Sequence, residues 1–471
     1  MLINIIAEGC YPYTVGGVSS WVQMLMTHFS SHEFLISTVL PDEDADCRIR
    51  YSMPSNVKSL DKAYLYQQEY KGKGKKKIFT ERERAAFRSL VYGTDVDWET
   101  IFIFFDQSQI PVNSILMGDE FIRIVEEYYF DTYPQIVFSD FLWTMRSLYL
   151  PLFTVLKAPV READVYHSLS TGYAGVLASK AACLRHKPML LTEHGIYTRE
   201  REEEIIKADW SYDIFKDIWI RFFYTLSSCA YRYAQQVTSL FEKARDIQVE
   251  IGCPKAKIHV IPNGVDPEQF EGLADGNVQK GIQVGAFLRV TPIKDVKTLI
   301  RSFAQAKQRE PGLRLFIMGP TEENPEYYEE CLQDCRALGV EDIEFTGNIS
   351  TRDYIGSMDI VILTSISEGQ PFALLEAMAA GAACISTNVG DCANLLEGHY
   401  DGIGRAGIVV PIMDVDRTAD ALVELARDEE LRRQMGINGK KRVRTRYLRR
   451  DFLKKYEEIY ESFSDKKQEG G

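Results

Sequence analysis

Short apolar runs alternate with amphipathic stretches along most of this chain. In the C-terminal half, IQVGAFL (282–288), LRLFIMG (313–319), IEFTG (343–347), DIVILTS (359–365), CISTN (384–388) and AGIVVP (406–411) have the length and content of β-strands. Between them, DVKTLIRSFAQAKQ (295–308), EYYEECLQDCRALG (326–339), a short segment from Thr351 to Met358, PFALLEAMAAG (371–381) and a last stretch from Thr418 to Met435 read as helices, with Gly339 as a C-cap. Short buried strands separated by helices predict a doubly wound parallel sheet.

The N-terminal half starts in the same rhythm. INIIAEG (3–9) reads as a strand, GVSSWVQMLMTHF (17–29) as a helix after a glycine-containing turn, and FLISTVLP (34–41) as the next strand. Residues 45–130 break the pattern and read as an insertion, mostly helical, with a basic run KGKGKKK (71–77) that fits a solvated loop. Strands are then expected at PQIVFSD (134–140), DVYHSLS (164–170), KPMLLTEHG (187–195), VTSLF (237–241) and KIHVIPNGVD (257–266). The polar, glycine-containing EGLADGNVQKG suits a linker. The expected division is therefore an N-terminal Rossmann-like domain over 1–270, a C-terminal one over 281–445, and an amphipathic tail helix over 450–467. Two such domains would face a central cleft at the carboxyl ends of their strands, where ligands bind open α/β sheets.

Composition narrows the function more than the fold. The chain has 471 residues, enough for two cores. Its formal net charge of -13, from 68 acidic and 55 basic residues, argues against non-specific nucleic-acid binding. Nine cysteines form no CxxC pair, and the seven histidines form no HExxH, so no metal site or disulfide framework is suggested. MLINIIAEG reads as a first strand rather than a leader, and no run of 18 apolar residues is present. The expectation is a cytoplasmic protein without a transmembrane segment, with peripheral membrane contact left open.

The chemistry concentrates in SEGQPFALLEAMAAG. Glu368, Gly369 and Gln370 make a turn after a strand, and Pro371 suits the first position of a helix. Free N–H groups at Gly369, Gln370 and Phe372, around Pro371 and with the positive helix end, would make an anion site. Glu376 lies about 7–8 Å further along the helix and leans back toward its start. Two carboxylates for hydroxyls beside N–H groups for a phosphate suit a nucleotide sugar. The same spacing also fits an acid favouring a helix dipole and a solvated Glu376. Arg289 and Lys294 follow the first strand of this half and could hold a phosphate, or form an ordinary surface pair. Gly16 and Gly17 follow strand one and could admit a diphosphate or substrate, although the pattern is not GxGxxG and also fits a tight turn. His194 ends a strand and could bond a sugar hydroxyl. His167 reads as structural.

Taken in order, GG at 16–17, His194, IPNGVD at 261–266, R-VTPI-K at 289–294 and E-GQPFALL-E at 368–376 resemble family 4 glycosyltransferases of the GT-B fold, over nearly the whole chain. INIIAEGCYPYTVGGVSSW, HSLSTGYAG, LLTEHGIYTRERE and the 45–130 insertion are closer to the PelF subgroup of exopolysaccharide glycosyltransferases. The resemblance implies retaining transfer of a hexose from a UDP-sugar, UDP-glucose first among them, to a saccharide or other hydroxyl acceptor. It implies no cofactor, no catalytic metal, and membrane subunits of a polysaccharide synthase as partners. Glu376 would bind the ribose, Glu368 the donor sugar, Arg289 and Lys294 the departing diphosphate, Gly16 and Gly17 the phosphates and acceptor, and His194 the donor sugar. The segment NVGD (388–391) departs from the commoner double glycine followed by an acid, which puts that loop's geometry in doubt. A UDP-sugar epimerase of the same shape and a non-catalytic nucleotide-sugar-binding scaffold are the alternatives.

Overall fold

The computed structural model describes residues 1–66, 78–208, 214–273, 281–398 and 401–465. The KGKGKKK run and most of the expected linker lie outside them. The chain divides into two compact units: Met1–Val260 together with the chain from Glu458 onward, and Ile261–Glu457.

The first unit is built on seven strands: β1 (Leu2–Glu8), β2 (Glu33–Leu40), β3 (Val57–Tyr64), β4 (Val165–Ser168), β5 (Met189–Glu193), β6 (Gln236–Ser239) and β7 (Ile258–Val260). Their order is β3-β2-β1-β4-β5-β6-β7, and every pairing is parallel. Apolar runs such as Ile3–Ile5–Ile6 and Leu190–Leu191 are fully buried because helices cover both faces of a parallel sheet. The strand order reverses between β1 and β4, so the loops after these two strands flank the switch point.

Two expectations for this unit need correction. PQIVFSD is not a strand. Phe138 opens a 20-residue helix, Phe138–Lys157, that tolerates Pro151 and buries Phe141, Leu148, Leu152 and Phe153. Its three-residue apolar run was too short to distinguish a strand from the start of a buried helix. The 45–130 segment is also not wholly an insertion. It contains β3, an edge strand parallel to β2, whose alternating and charged sequence VKSLDKAY hid it. Four helices lie between Glu81 and Thr132 and pack around Phe87, Phe104, Phe105 and Phe121. Thr80 and Glu83 form a reciprocal capping box at the start of the first.

The second unit holds β8 (Ile282–Phe287), β9 (Leu313–Met318), β10 (Ile343–Gly347), β11 (Ile360–Leu363), β12 (Ala383–Thr387) and β13 (Gly407–Val410), in the order β10-β9-β8-β11-β12-β13. All are parallel, and the switch point lies between β8 and β11. The helix expected from Thr418 to Met435 is two helices, Val415–Arg427 and Glu429–Arg446, broken at Asp428. Asp428 ends the first and caps the second by accepting a bond from the Leu431 N–H. IPNGVD belongs to this unit: the Val265 N–H donates to the Tyr447 carbonyl, and Asn263 bonds Gln370. These bonds set the division at Val260–Ile261, earlier than the linker composition suggested.

Candidate functional site

The polar residues of the second unit gather where its sheet reverses. β8 leads into residues 288–295 and β11 into residues 364–371. Three bonds hold these loops together. The Thr364 hydroxyl donates to the carbonyls of Lys294 and Asp295 (both 3.1 Å), and the Ile366 N–H donates to the Ile293 carbonyl (2.9 Å). Over this frame the Lys294 ammonium donates to Glu368 Oε1 at 2.5 Å, and Ser365 Oγ donates to the same oxygen at 2.6 Å. Lys294 and Glu368 side chains are 17% and 12% exposed, so the pair is screened less than a surface pair while keeping an open edge. The other Glu368 oxygen is available to a hydroxyl donor.

The helix Phe372–Ala380 starts one residue later than expected, with Pro371 as its N-cap rather than its first residue. The N–H groups of Leu374 and Leu375 return to the Pro371 carbonyl. Those of Phe372 and Ala373 precede the first intrahelical bond, which leaves the helix start competent for an anion. Leu374, Leu375, Ala377 and Met378 are core, as their periodicity required. Glu376 is half-buried among them, and burial pushes its carboxyl up to about 7 against the opposing pull of Arg449.

Two expected ligands are engaged elsewhere. Arg289 Nη1 contacts both oxygens of Glu323, at 2.6 and 2.7 Å, so a phosphate would have to compete with that carboxylate. Gln370 is 4% exposed and turns inward: its Nε2 donates to Asp391 Oδ2 (2.6 Å), and its Oε1 accepts from the Asn263 N–H (2.6 Å). Both ends of its amide are bonded inside the protein, which turns the side chain away from a ligand. The sequence carried no sign of this, because Asn263 and Asp391 are both remote in the chain. Ser365, Thr364 and Thr387, whose hydroxyl donates to the Ser365 carbonyl at 2.6 Å, were also missed. Polar residues closing an apolar strand were the available signal.

In the first unit, Gly16 precedes the helix Gly17–His28. A Cβ at Gly16 would meet nothing within 4 Å, and its extended backbone suits any residue, so packing alone does not require glycine there. Gly17 is exposed at the first helical position. His194 follows β5 directly. Its ring meets Trp21 edge-on at 4.8 Å, its Nε2 is buried without a partner, and burial lowers the imidazole to about 4. It is therefore neutral at pH 7, with one nitrogen unsatisfied. Beneath it, the buried Glu193 accepts bonds from Tyr231 Oη (2.6 Å), Gln248 Nε2 (2.9 Å) and Thr171 Oγ1 (3.3 Å). His167 is structural: its two nitrogens meet Tyr460 Oη and Thr192 Oγ1, each at 2.8 Å. At the β1–β4 switch, Glu8 accepts from Tyr197 Oη, Ser170 Oγ and the Ala174 N–H. Gly172 is required there, since a Cβ would meet the Tyr197 ring at 2.3 Å. Among the described residues, no three His, Cys, Asp or Glu side chains are grouped to hold a metal ion, and no helix is long and apolar enough to cross a membrane.

The chain is similar in sequence and fold to known proteins. Residues 233–428 match the family described as Glycosyl transferases group 1, and residues 1–256 match Domain of unknown function (DUF3492). The chain is 31% identical to D-inositol 3-phosphate glycosyltransferase of Kribbella flavida over 211 residues, 41% of this chain and 49% of that protein. It is 24% identical to an Escherichia coli UDP-Gal:alpha-D-GlcNAc-diphosphoundecaprenol alpha-1,3-galactosyltransferase over 309 residues, 61% of this chain and 72% of that one. The chain spans about half the length of most curated relatives it matches. In fold it is similar to Anabaena HepE, crystallised with UDP and glucose, with a TM-score of 0.62 at 15% identity over 98% of this chain and 99% of that one. The chain thus has the GT-B fold, is related to bacterial sugar transferases of group 1, and belongs to the family described as Domain of unknown function (DUF3492).

Proposed function

We propose that this protein is a glycosyltransferase that moves a hexose from a nucleotide sugar, a UDP-sugar with UDP-glucose first to be tested, to a hydroxyl acceptor, with retention at the anomeric carbon. The observation that carries the reading is the Lys294–Glu368–Ser365 cluster at the switch point of the second sheet, beside the start of the helix Phe372–Ala380. A cation and free N–H groups suit the diphosphate, and a half-buried carboxylate suits sugar hydroxyls. The match to group 1 glycosyl transferases and the UDP-Gal-using relative support it.

Leaving-group departure puts negative charge on the β-phosphate and oxocarbenium character on the sugar C1. Lys294 would meet that phosphate in a fixed position, which is worth most where water is excluded. Glu368 would orient the sugar through its hydroxyls, and Glu376 would accept from the ribose. Arg289 would join only after parting from Glu323. The neutral His194 would hydrogen-bond a sugar hydroxyl. The acceptor oxygen would attack the face the diphosphate leaves, passing its proton to the leaving phosphate oxygen. No protein group is assigned as a covalent nucleophile or metal ligand.

The resemblance of INIIAEGCYPYTVGGVSSW (3–21), HSLSTGYAG and LLTEHGIYTRERE to the PelF subgroup supports a place in exopolysaccharide synthesis, working at the cytoplasmic face of the membrane with membrane subunits. Calorimetric titration with UDP, GDP and ADP, with and without Mg²⁺, tests the donor. Selective, metal-independent UDP binding followed by sugar transfer is the expected result. Binding without turnover would favour a scaffold, a new epimer without acceptor would favour the epimerase, and preference for another nucleotide would overturn the donor.

A further inference from the structure

We propose that Asp391 is a positioning residue, which acts through Gln370 to fix the Glu368–Gly369 turn. The inference rests on the glycosyltransferase reading, in which that turn presents Glu368 to the donor sugar. Residues 366–371 belong to no helix or strand, so bonds from elsewhere must place them. Asp391 bonds two successive residues of this turn, Gly369 and Gln370. Its N–H donates to the Gly369 carbonyl (2.9 Å), its Oδ2 accepts from Gln370 Nε2 (2.6 Å), and its Oδ1 accepts from Asn394 Nδ2 (3.2 Å). Gln370 passes the constraint on, since its Oε1 and its carbonyl accept from the N–H (2.6 Å) and Nδ2 (3.0 Å) of Asn263.

Steric fit closes the arrangement. Gly390 has φ +52, and a Cβ there would stand 2.2 Å from the carbonyl oxygens of Glu368 and Gly369. The NVGD loop therefore lies directly against the backbone that carries Glu368. Asn263, Gln370 and Asp391 are 2%, 4% and 5% exposed. Buried polar groups of this kind hold their geometry because breaking one bond leaves its partner desolvated and unpaired. The position of Asp391 matters as much as its chemistry. It lies in the NVGD segment that departs from the commoner double glycine followed by an acid, and a glycine at this position could supply the N–H but neither carboxylate acceptor. Asp391 and Gln370 thus form one hydrogen-bonded unit beside the Glu368–Gly369 backbone.

The test uses the full chain and the variants Asp391→Leu, Asp391→Asn, Gln370→Leu and the double leucine variant. Three readouts are taken: amide hydrogen exchange of residues 364–372, calorimetric affinity for UDP, and kcat and KM with the nucleotide sugar the protein uses. Asp391→Leu and Gln370→Leu should each speed exchange in that segment and lower kcat by about tenfold or more, since a small misplacement at the reacting end is costly. UDP affinity should fall less than kcat, because the helix start facing the diphosphate adjoins the turn whereas the ribose contact assigned to Glu376 lies further along the helix. The double variant should be no worse than the worse single, as expected of residues acting as a unit. Asp391→Asn, which keeps an acceptor for Gln370, should restore most of the loss. If Asp391→Leu does not fold, Gln370→Leu cuts the same link from the other end. Unchanged exchange, additive losses, or a lowered Tm with unchanged kcat per folded molecule would each overturn the proposal. If the unaltered protein transfers no sugar, the glycosyltransferase reading fails, and the exchange data still decide whether Asp391 fixes the turn.

Discussion

Glu376 should make nucleotide-sugar binding depend on pH in a way that an ordinary carboxylate would not. Burial holds its carboxyl at about 7, against 4.5 for an unperturbed glutamate. If the ionised form accepts hydrogen bonds from both ribose hydroxyls, only the fraction already ionised binds without first losing a proton. That fraction is about one tenth at pH 6 and about nine tenths at pH 8, so affinity should rise about tenfold across the interval. At pH 7 about half a proton should be released per ligand bound. A UDP-hexose is the suitable ligand, because both its phosphates are esterified and do not titrate in this range. Titration calorimetry in buffers of different ionisation enthalpy measures both quantities. Glu376→Gln should bind with a flat pH profile, about as tightly as the unaltered protein at pH 6 and about tenfold more weakly at pH 8. The unliganded protein should respond in the opposite sense. Because the folded-state value lies above the unfolded one, protonation favours the fold, and stability falls as pH rises from about 4.5 through about 7. Glu376→Gln should therefore melt higher than the unaltered protein at pH 8 and equally at pH 4. Affinity independent of pH between 6 and 8, or a slope that survives in Glu376→Gln, would refute the assignment.

Three further outcomes are expected. Replacing Glu323 by alanine should free Arg289 and tighten UDP binding a few-fold at low salt, with the gain lost as ionic strength rises; weaker binding would mean that Glu323 presents Arg289 rather than competing for it. Lys294→Met should lower kcat by about a hundredfold or more, with a smaller change in KM, if its charge acts mainly as the diphosphate leaves, and equal rates would remove it from the mechanism. Arg442, fully buried, bonds Asp401 and the carbonyls of Leu395, Leu396 and Gly404, so Arg442→Met should cost about 3–5 kcal/mol in denaturant unfolding by leaving the Asp401 carboxylate without its cation and three carbonyls without this donor. Arg442 also holds Asp401 below the usual carboxylate range, so its contribution is present above 3.8 and lost on acidification, and the acid limb of the stability curve should flatten in the variant.

The strand–helix alternation of the second unit was legible from the sequence because its central strands are buried on both faces. Such strands must be continuous apolar runs, and Val284, Leu315, Ile362 and Ile385 are all fully buried. Where burial is one-sided, the pattern misled. The edge strand β3 looked like insertion, and the start of a buried helix at Phe138 looked like a strand. The turn and helix around Glu368 and the cationic Lys294 were also readable, since a strand end, a turn and a helix start are local features. What those side chains do was not. Gln370 faces Asp391, 21 residues away, and Arg289 faces Glu323, 34 residues away. Glu376 owes its raised pKa to burial within a core cluster whose members run from Val265 to Tyr447. Local sequence determines which backbone forms and which chemical groups it carries. Hydrogen-bond partners and dielectric surroundings depend on residues brought together only when the sheet assembles, and so the tertiary structure alone decided which carboxylate is paired, which is poised to titrate, and which is bonded to the turn that carries Glu368.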